Sequence, residues 1–339
     1  MRDYGDRTDN RRQGGEEGEE GQAAWQRSAT AFAAAVESGR LNLPQPGSGA
    51  TRERWAAFAD LAGQDLSLAR LAEGHADAVA ILAELGGPRP QAGSRWGVWA
   101  ANPPGPNVKA TRRDNTWELR GTKQYCSGAR TCTDVLVTAA ADDGARLFAV
   151  STGPLEPNPG SWPATGMAGS DTLDVGFPGV AAVPVGPPDA YTNRPGFSHG
   201  GVGVAACWYG GARGVARALL SAASKRDVGP HALAHLGAVD LSLRTAWAAL
   251  SQAADEIDAD PGDERGEGPL RALRARALTE AAATDVLART GRALGAGPLG
   301  HDEAHSRAVA DLTVYLRQHH AERDLARLGQ LVAERGDTW

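Results

Sequence analysis

Apolar residues set the first pattern in the chain. Trp25, Ala29, Phe32 and Val36 fall three or four apart, which predicts a helix from about Gln22 with one apolar face. Pro44 and Pro46 break it. Trp55, Phe58, Leu61, Leu66, Leu68, Leu71, Val79 and Leu82 repeat the helical spacing over 55–85, and Gly86-Gly87-Pro88 ends that stretch. From Arg95 the period changes. Trp96 to Trp99, Trp117 with Leu119, Val135 to Val137, Leu147 to Val150 and Val175 to Val183 alternate or cluster as strands, with Gly, Pro and Asp between them. From about Gly201 the sequence is Ala- and Leu-rich and helical to its end, interrupted once by a solvated loop over 258–269.

The periodicities divide the chain into four parts. Residues 1–21 are charged and Gly-rich, bury little and are expected to be a disordered tail. A short helical domain follows over 22–92, then a small β domain over 93–197 and a helical domain over 198–339. The fold class is therefore α+β, with a central β-barrel or sheet between an N-terminal helical domain and a C-terminal helical bundle.

Composition narrows the function. A chain of 339 residues with 42% hydrophobic content buries a large core. A net charge of −6 provides no basic face for nucleic acid. No apolar run has membrane-spanning length, and the N-terminus lacks the order of a signal peptide. Cys126, Cys132 and Cys207 have no metal-like spacing, so reduced thiols and a cytoplasmic location are expected.

Two segments in the β region carry candidate chemistry. One is Trp117-Glu-Leu-Arg-Gly121-Thr-Lys123-Gln-Tyr125-Cys126-Ser127-Gly128, and the other is Gly166-Met-Ala168-Gly-Ser170-Asp-Thr172. Together with the helix–sheet–helix plan they resemble the acyl-CoA dehydrogenase superfamily of flavoproteins, over roughly residues 55–330. The resemblance implies FAD, a small-molecule substrate such as an acyl thioester, and a homodimer or homotetramer. It implies that Tyr125 covers an edge of the flavin ring, with Cys126 beside it. The Ser127 hydroxyl and amide would donate where negative charge develops on reduction.

Other positions follow the family less closely. The family's Thr-Glu-Pro strand corresponds to Trp99-Ala100-Ala101-Asn102-Pro103, so Trp99 and Ala101 are implied flavin neighbours through main-chain groups. Trp99 equally suits the core. The Arg of the family's Gly-x-Arg-x-Ser-x-Thr turn is Ala168 here, and Ser170 and Thr172 also have the chemistry of a simple turn. Lys225-Arg226-Asp-Val-Gly229 is similar to the family's Arg-x-x-Phe-Gly. By that resemblance Arg226 reaches the phosphate of a flavin held by a second subunit, because a guanidinium matches phosphate. Gly295 and Gly297, in the Gly-rich run Gly291 to Gly300, are implied to approach the same flavin.

The family's dehydrogenases abstract an α-proton with a glutamate. Reading forward from Asp311, that position falls at His319, followed by His320, and the stretch Gly200 to Ala205 supplies no carboxylate either. His319 or His320 is the implied replacement, able to accept a proton near neutral pH or to donate to an oxygen on flavin or substrate. Adjacent histidines also suit the C-terminal end of a helix. The leading expectation is FAD-dependent desaturation of an acyl thioester. The alternatives are a flavin-dependent monooxygenase, which needs no carboxylate base, and a non-catalytic binding or partner subunit. His75 is expected to be packed and half-buried, and His301 and His305 to lie on a solvated turn.

Overall fold

The computed structural model describes residues 17–105 and 107–336. Three helices open the chain: α1 (Glu17–Glu37), α2 (Thr51–Ala62) and α3 (Leu66–Leu85). Residues 17–21, expected in the tail, belong to α1; residues 1–16 lie outside the described part. The single apolar stretch over 55–85 is two helices because Asp65 starts a new one. Its carboxylate accepts from the Leu68 amide at 2.9 Å, satisfying a donor that the first turn leaves open. Gly86 ends α3 in the left-handed region, φ 68°.

The β domain has seven strands: β1 (Trp96–Trp99), β2 (Lys109–Arg113), β3 (Thr116–Cys126), β4 (Asp134–Ala141), β5 (Gly144–Ser151), β6 (Glu156–Asn158) and β7 (Leu173–Val185). Five of them close a small barrel, since β4 pairs with β2 and β5, β3 with β2 and β7, and β5 with β7. β1 extends the β4 edge in parallel, and β6 pairs with β7. The alternating apolar positions, among them Leu119, Val135, Val137, Phe148 and Phe177, are buried.

The C-terminal helices are α4 (Ala190–Asn193), α5 (Pro195–Lys225), α6 (Gly229–Ala259), α7 (Gly268–Leu294), α8 (Gly297–His301), α9 (Glu303–Tyr315) and α10 (Glu322–Arg335). Helix thus begins before the expected boundary at 198, because Pro195 sits in the first turn of α5, where its missing N–H costs nothing. The many glycines of α5 allow close packing. A Cβ on Gly210 would lie 2.3 Å from the Ala59 carbonyl oxygen of α2. Among the described residues no helix is long and apolar enough to cross a membrane.

The layers are tied by buried polar contacts. The His75 Nδ1 on α3 accepts from the Trp96 amide at 3.1 Å, joining helix to barrel. His75 is packed as expected, but buried rather than half-buried, and meets Phe32 edge-on. Burial pushes its imidazole down to about 4 from 6.5. The folded protein therefore binds fewer protons than the unfolded chain between those values, and stability falls as pH drops from 6.5 to about 4. The loss is on the order of 3 kcal/mol. His75→Gln keeps an acceptor for Trp96 without titrating. Urea unfolding across that window is expected to show a flatter pH slope for the variant; equal slopes would contradict this role.

Candidate active site

The end of β3 is irregular in a way that presents Tyr125. The β3–β7 register shifts between Lys123 and Cys126. Tyr125 takes a left-handed conformation, φ 59°, which is strained for an aromatic residue. The bulge turns its ring out to 53% exposure, edge-on to Trp162 at 6.4 Å. Cys126 points the other way and is fully buried, its thiol pushed well up by desolvation. Ser127 is half-buried, and its hydroxyl shares a hydrogen bond of 2.9 Å with Thr172, which continues to Ser170 at 2.8 Å. Ser170 donates to the Met167 carbonyl, so the two turn hydroxyls have the local partners expected of them.

Trp99 lies in the core at 1% exposure and donates from Nε1 to the Ser127 carbonyl at 2.9 Å. It supports the β3 terminus from behind. Ala101 is exposed on the loop after β1. Lys123, two residues before Tyr125 on β3, is buried with its amine donating to Asn102, Asn107 and Thr138 at 2.9–3.3 Å. It pins the loop that carries Ala101 onto β3 and β4. Gly121 leaves room for that loop, since a Cβ there would lie 2.4 Å from the Asn107 carbonyl oxygen.

The helical layer reaches this edge through α9. A Cβ on Gly166 would lie 2.4 Å from the Ala310 carbonyl oxygen, and the Met167 amide donates to Asp311 at 2.5 Å. Burial raises the Asp311 carboxyl to about 6. At its C-terminal end α9 delivers Tyr315, a 3-10 turn over Leu316–Gln318, and then His319. Tyr315 and His319 both meet the buried Trp208 of α5 edge-on, at 6.4 and 6.3 Å between ring centres.

His319 is 5% exposed. Its Nδ1 accepts the Ala321 amide at 3.2 Å, which places the proton of the neutral ring on Nε2. Among the described residues Nε2 is buried without a hydrogen-bond partner, as is Trp208 Nε1. The nearest acid, Asp324, stands at 4.0 Å. Desolvation lowers the His319 pKa, opposed by Asp324 and Glu280, so the ring is a neutral donor at neutral pH. His320 is exposed and lies 3.4 Å from Asp324. The two histidines thus separate into an inward donor and a surface ring. Glu322 is exposed at the start of α10, off the element that carries His319.

The structure adds a buried charge pair that periodicity alone did not single out. On α3, Arg70 donates to Glu73 at 2.5 Å, with side-chain exposures of 14% and 5%. Burial raises the Glu73 carboxyl and Arg70 opposes the shift. With Ser127 and Cys132, Arg70 lines a void of about 10 Å³, at the lower limit for one water. The signal was an i, i+3 acid–base pair inside an otherwise apolar helix face.

A separate cleft of about 600 Å³ opens between the α2–α3 junction, the end of α5, and α8–α9. Arg226, at the C-cap of α5, lines it with Lys225, Leu294 and Pro298, so Arg226 and the residues flanking the Gly295–Gly297 turn border one cleft. Cβ atoms at Gly295 or Gly297 meet nothing within 4 Å, which leaves the backbone of the turn open to approach. Among the described residues neither Lys225 nor Arg226 is drawn into an ion pair. His301 is exposed as expected, but His305 is buried against this cleft, because Asp302 caps α9 by accepting from the His305 amide and turns that residue inward. Among the described residues no group of acids, histidines and cysteines is arranged to hold a metal.

No protein-family model matches the chain, and no curated protein matches it. Solved structures do. TdsC from Paenibacillus sp. A11-2, solved with FMN and indole, aligns over 93% of this chain and 97% of its own, with 18% identity and a TM-score of 0.75. The 3-HSA hydroxylase of Rhodococcus sp. RHA1 aligns over 95% and 94%, with 17% identity and a TM-score of 0.76. The methanesulfinate monooxygenase MsuC of Pseudomonas fluorescens aligns over 94% and 97%, with 19% identity and a TM-score of 0.71. At these identities the likeness carries the fold, and the chain has the acyl-CoA dehydrogenase-like architecture of a helical domain, a small β-barrel and a helical bundle.

Proposed function

We propose that this chain is a flavin-dependent monooxygenase that uses FMN. The observation that carries the reading is His319: a buried, neutral ring whose Nε2 has no hydrogen-bond partner among the described residues, at the sequence position that the family resemblance gives to a dehydrogenase carboxylate. Such a group donates a hydrogen bond to an oxygen and abstracts an α-proton poorly, because burial lowers its basicity. The one fully buried carboxylate of α3, Glu73, is already held by Arg70. Desaturation of an acyl thioester, the leading expectation from sequence, is less well supported, because the position that the family resemblance gives to the base carries His319. The fold likeness to monooxygenases, one of them solved with FMN, supports the same choice over FAD.

The residues present fit a flavin. Tyr125 offers an exposed aromatic face, and the Ser127 hydroxyl belongs to a hydrogen-bonded chain at the barrel edge. The open Gly295–Gly297 backbone and the cations Lys225 and Arg226, without an ion pair among the described residues, suit a phosphate. That cleft would serve the flavin of a second copy, so a homo-oligomer completes the site. A bound reduced flavin supplies the electrons that activate oxygen. Around it, Tyr125 would position the ring and the Ser127 amide would donate to it, the Ser127 hydroxyl being committed to Thr172, while His319 would hold a proton at Nε2.

The test supplies FMN, a reductant and heavy-isotope oxygen with a panel of aromatic and sulfur compounds. Label in a product supports the proposal. Anaerobic bleaching of the bound flavin by acyl thioesters, with no label incorporated, would restore the dehydrogenase reading. Arg226→Ala is expected to weaken FMN binding about tenfold, by losing a charge-assisted contact worth roughly 1.5 kcal/mol. An unchanged titration would remove Arg226 from the site.

A further inference from the structure

Nothing in the sequence singles out Arg276, yet three contacts converge on it. From the middle of α7 its guanidinium donates to the Gly201 carbonyl of α5 and to the Gln318 carbonyl, at 2.9 Å each. Its carbon lies over the Trp208 ring at 4.6 Å. Gln318 immediately precedes His319, and Trp208 is the ring against which His319 packs. One turn further along α7, Glu280 accepts from Arg317 at 3.0 Å. The helix therefore grips the 3-10 turn over Leu316–Gln318 at two points.

The turn needs gripping. Beyond it Ala321 takes φ 46°, ψ −119°, a conformation that an L residue rarely adopts. That strain accompanies the bond from the Ala321 amide to His319 Nδ1, which fixes the tautomer. A strained segment persists only where its surroundings over-determine it. Arg276 is the group that connects the turn, the ring under His319 and α5 at once.

We propose that Arg276 is a positioning residue that holds His319 in its donor orientation. The inference rests on His319 acting in the site, as proposed above. A planar guanidinium can make two divergent hydrogen bonds while stacking on an indole, and a lysine cannot. The charged and titratable groups facing His319 are His320 beside it, Asp324 from the first turn of α10, and Glu280 and Arg276 from α7. Of these, Arg276 and His320 oppose protonation, while Asp324 and Glu280 favour it.

The test compares the wild type with Arg276→Ala, Arg276→Lys and His319→Ala. His319 is titrated by NMR in the flavin-free protein, and steady-state turnover is measured with flavin. In Arg276→Ala the His319 pKa is expected to rise towards the ordinary value, with kcat falling about 10–100-fold and KM little changed, as for a misplaced catalytic group. Arg276→Lys keeps the charge and much of the packing, so it folds, and it is expected to recover only part of kcat. Adding Arg276→Ala to His319→Ala is expected to cost nothing more. An unchanged His319 titration and kcat in both Arg276 variants would overturn the proposal. Full turnover by His319→Ala would instead sink the role of His319, while the titration would still report whether Arg276 positions the ring.

Discussion

Replacing His319 with Ala is expected to lower oxygen-dependent turnover by about 10²–10⁴-fold, the range for losing a positioned proton donor. Flavin binding should be little changed, because the groups proposed to face a flavin lie elsewhere, at Tyr125, Ser127 and the Arg226 cleft. The contrast with His320→Ala gives the prediction its edge. The His320 ring is exposed and pairs with Asp324, so its removal is expected to leave turnover nearly intact. Both variants are to be assayed for kcat and KM after their folding is checked by circular dichroism. Equal losses in the two variants would contradict the division between an inward donor and a surface ring.

The second large effect concerns stability. Arg70→Met is expected to destabilise the protein by about 3–5 kcal/mol, because it leaves the buried Glu73 carboxylate without its counter-charge. The double change Arg70→Met with Glu73→Leu removes both charges and should recover most of that loss. Urea unfolding of the two variants separates the cases. A double variant no more stable than the single one would show that the cost lies in packing rather than in an uncompensated charge. Arg70 also borders the small void that Ser127 lines.

The order of helical, β and helical regions was legible because each has its own hydrophobic period. The strands around Leu119, Val137 and Phe177 alternate, and the flanking helices repeat every three or four residues. Boundaries were less legible where capping competes with periodicity. Asp65 splits one apolar stretch into α2 and α3, and Pro195 starts α5 earlier than the Gly-rich run suggested. The site was legible in part. The Tyr125–Ser127 terminus and the Arg226 and glycine segments could be singled out by their resemblance to a family pattern. Arg70–Glu73, Arg276 and Tyr315 could not, since their importance comes from contacts between α3, α5, α7 and α9 that no local spacing encodes. His305 was misjudged for the same kind of reason, as a polar run hid the Asp302 cap that turns it inward.

The central claim is that this chain binds a flavin between its barrel edge and its C-terminal helices. The most direct measurement is the visible spectrum of the purified, full-length protein titrated with FMN. The account predicts saturable binding with a perturbed flavin spectrum and altered Tyr and Trp fluorescence, from a ring held against Tyr125 near Trp162. A colourless protein whose spectrum equals that of free FMN plus apoprotein, at every concentration tried, would contradict it. The chain would then be a non-catalytic relative of the fold, and a binding partner should be sought instead.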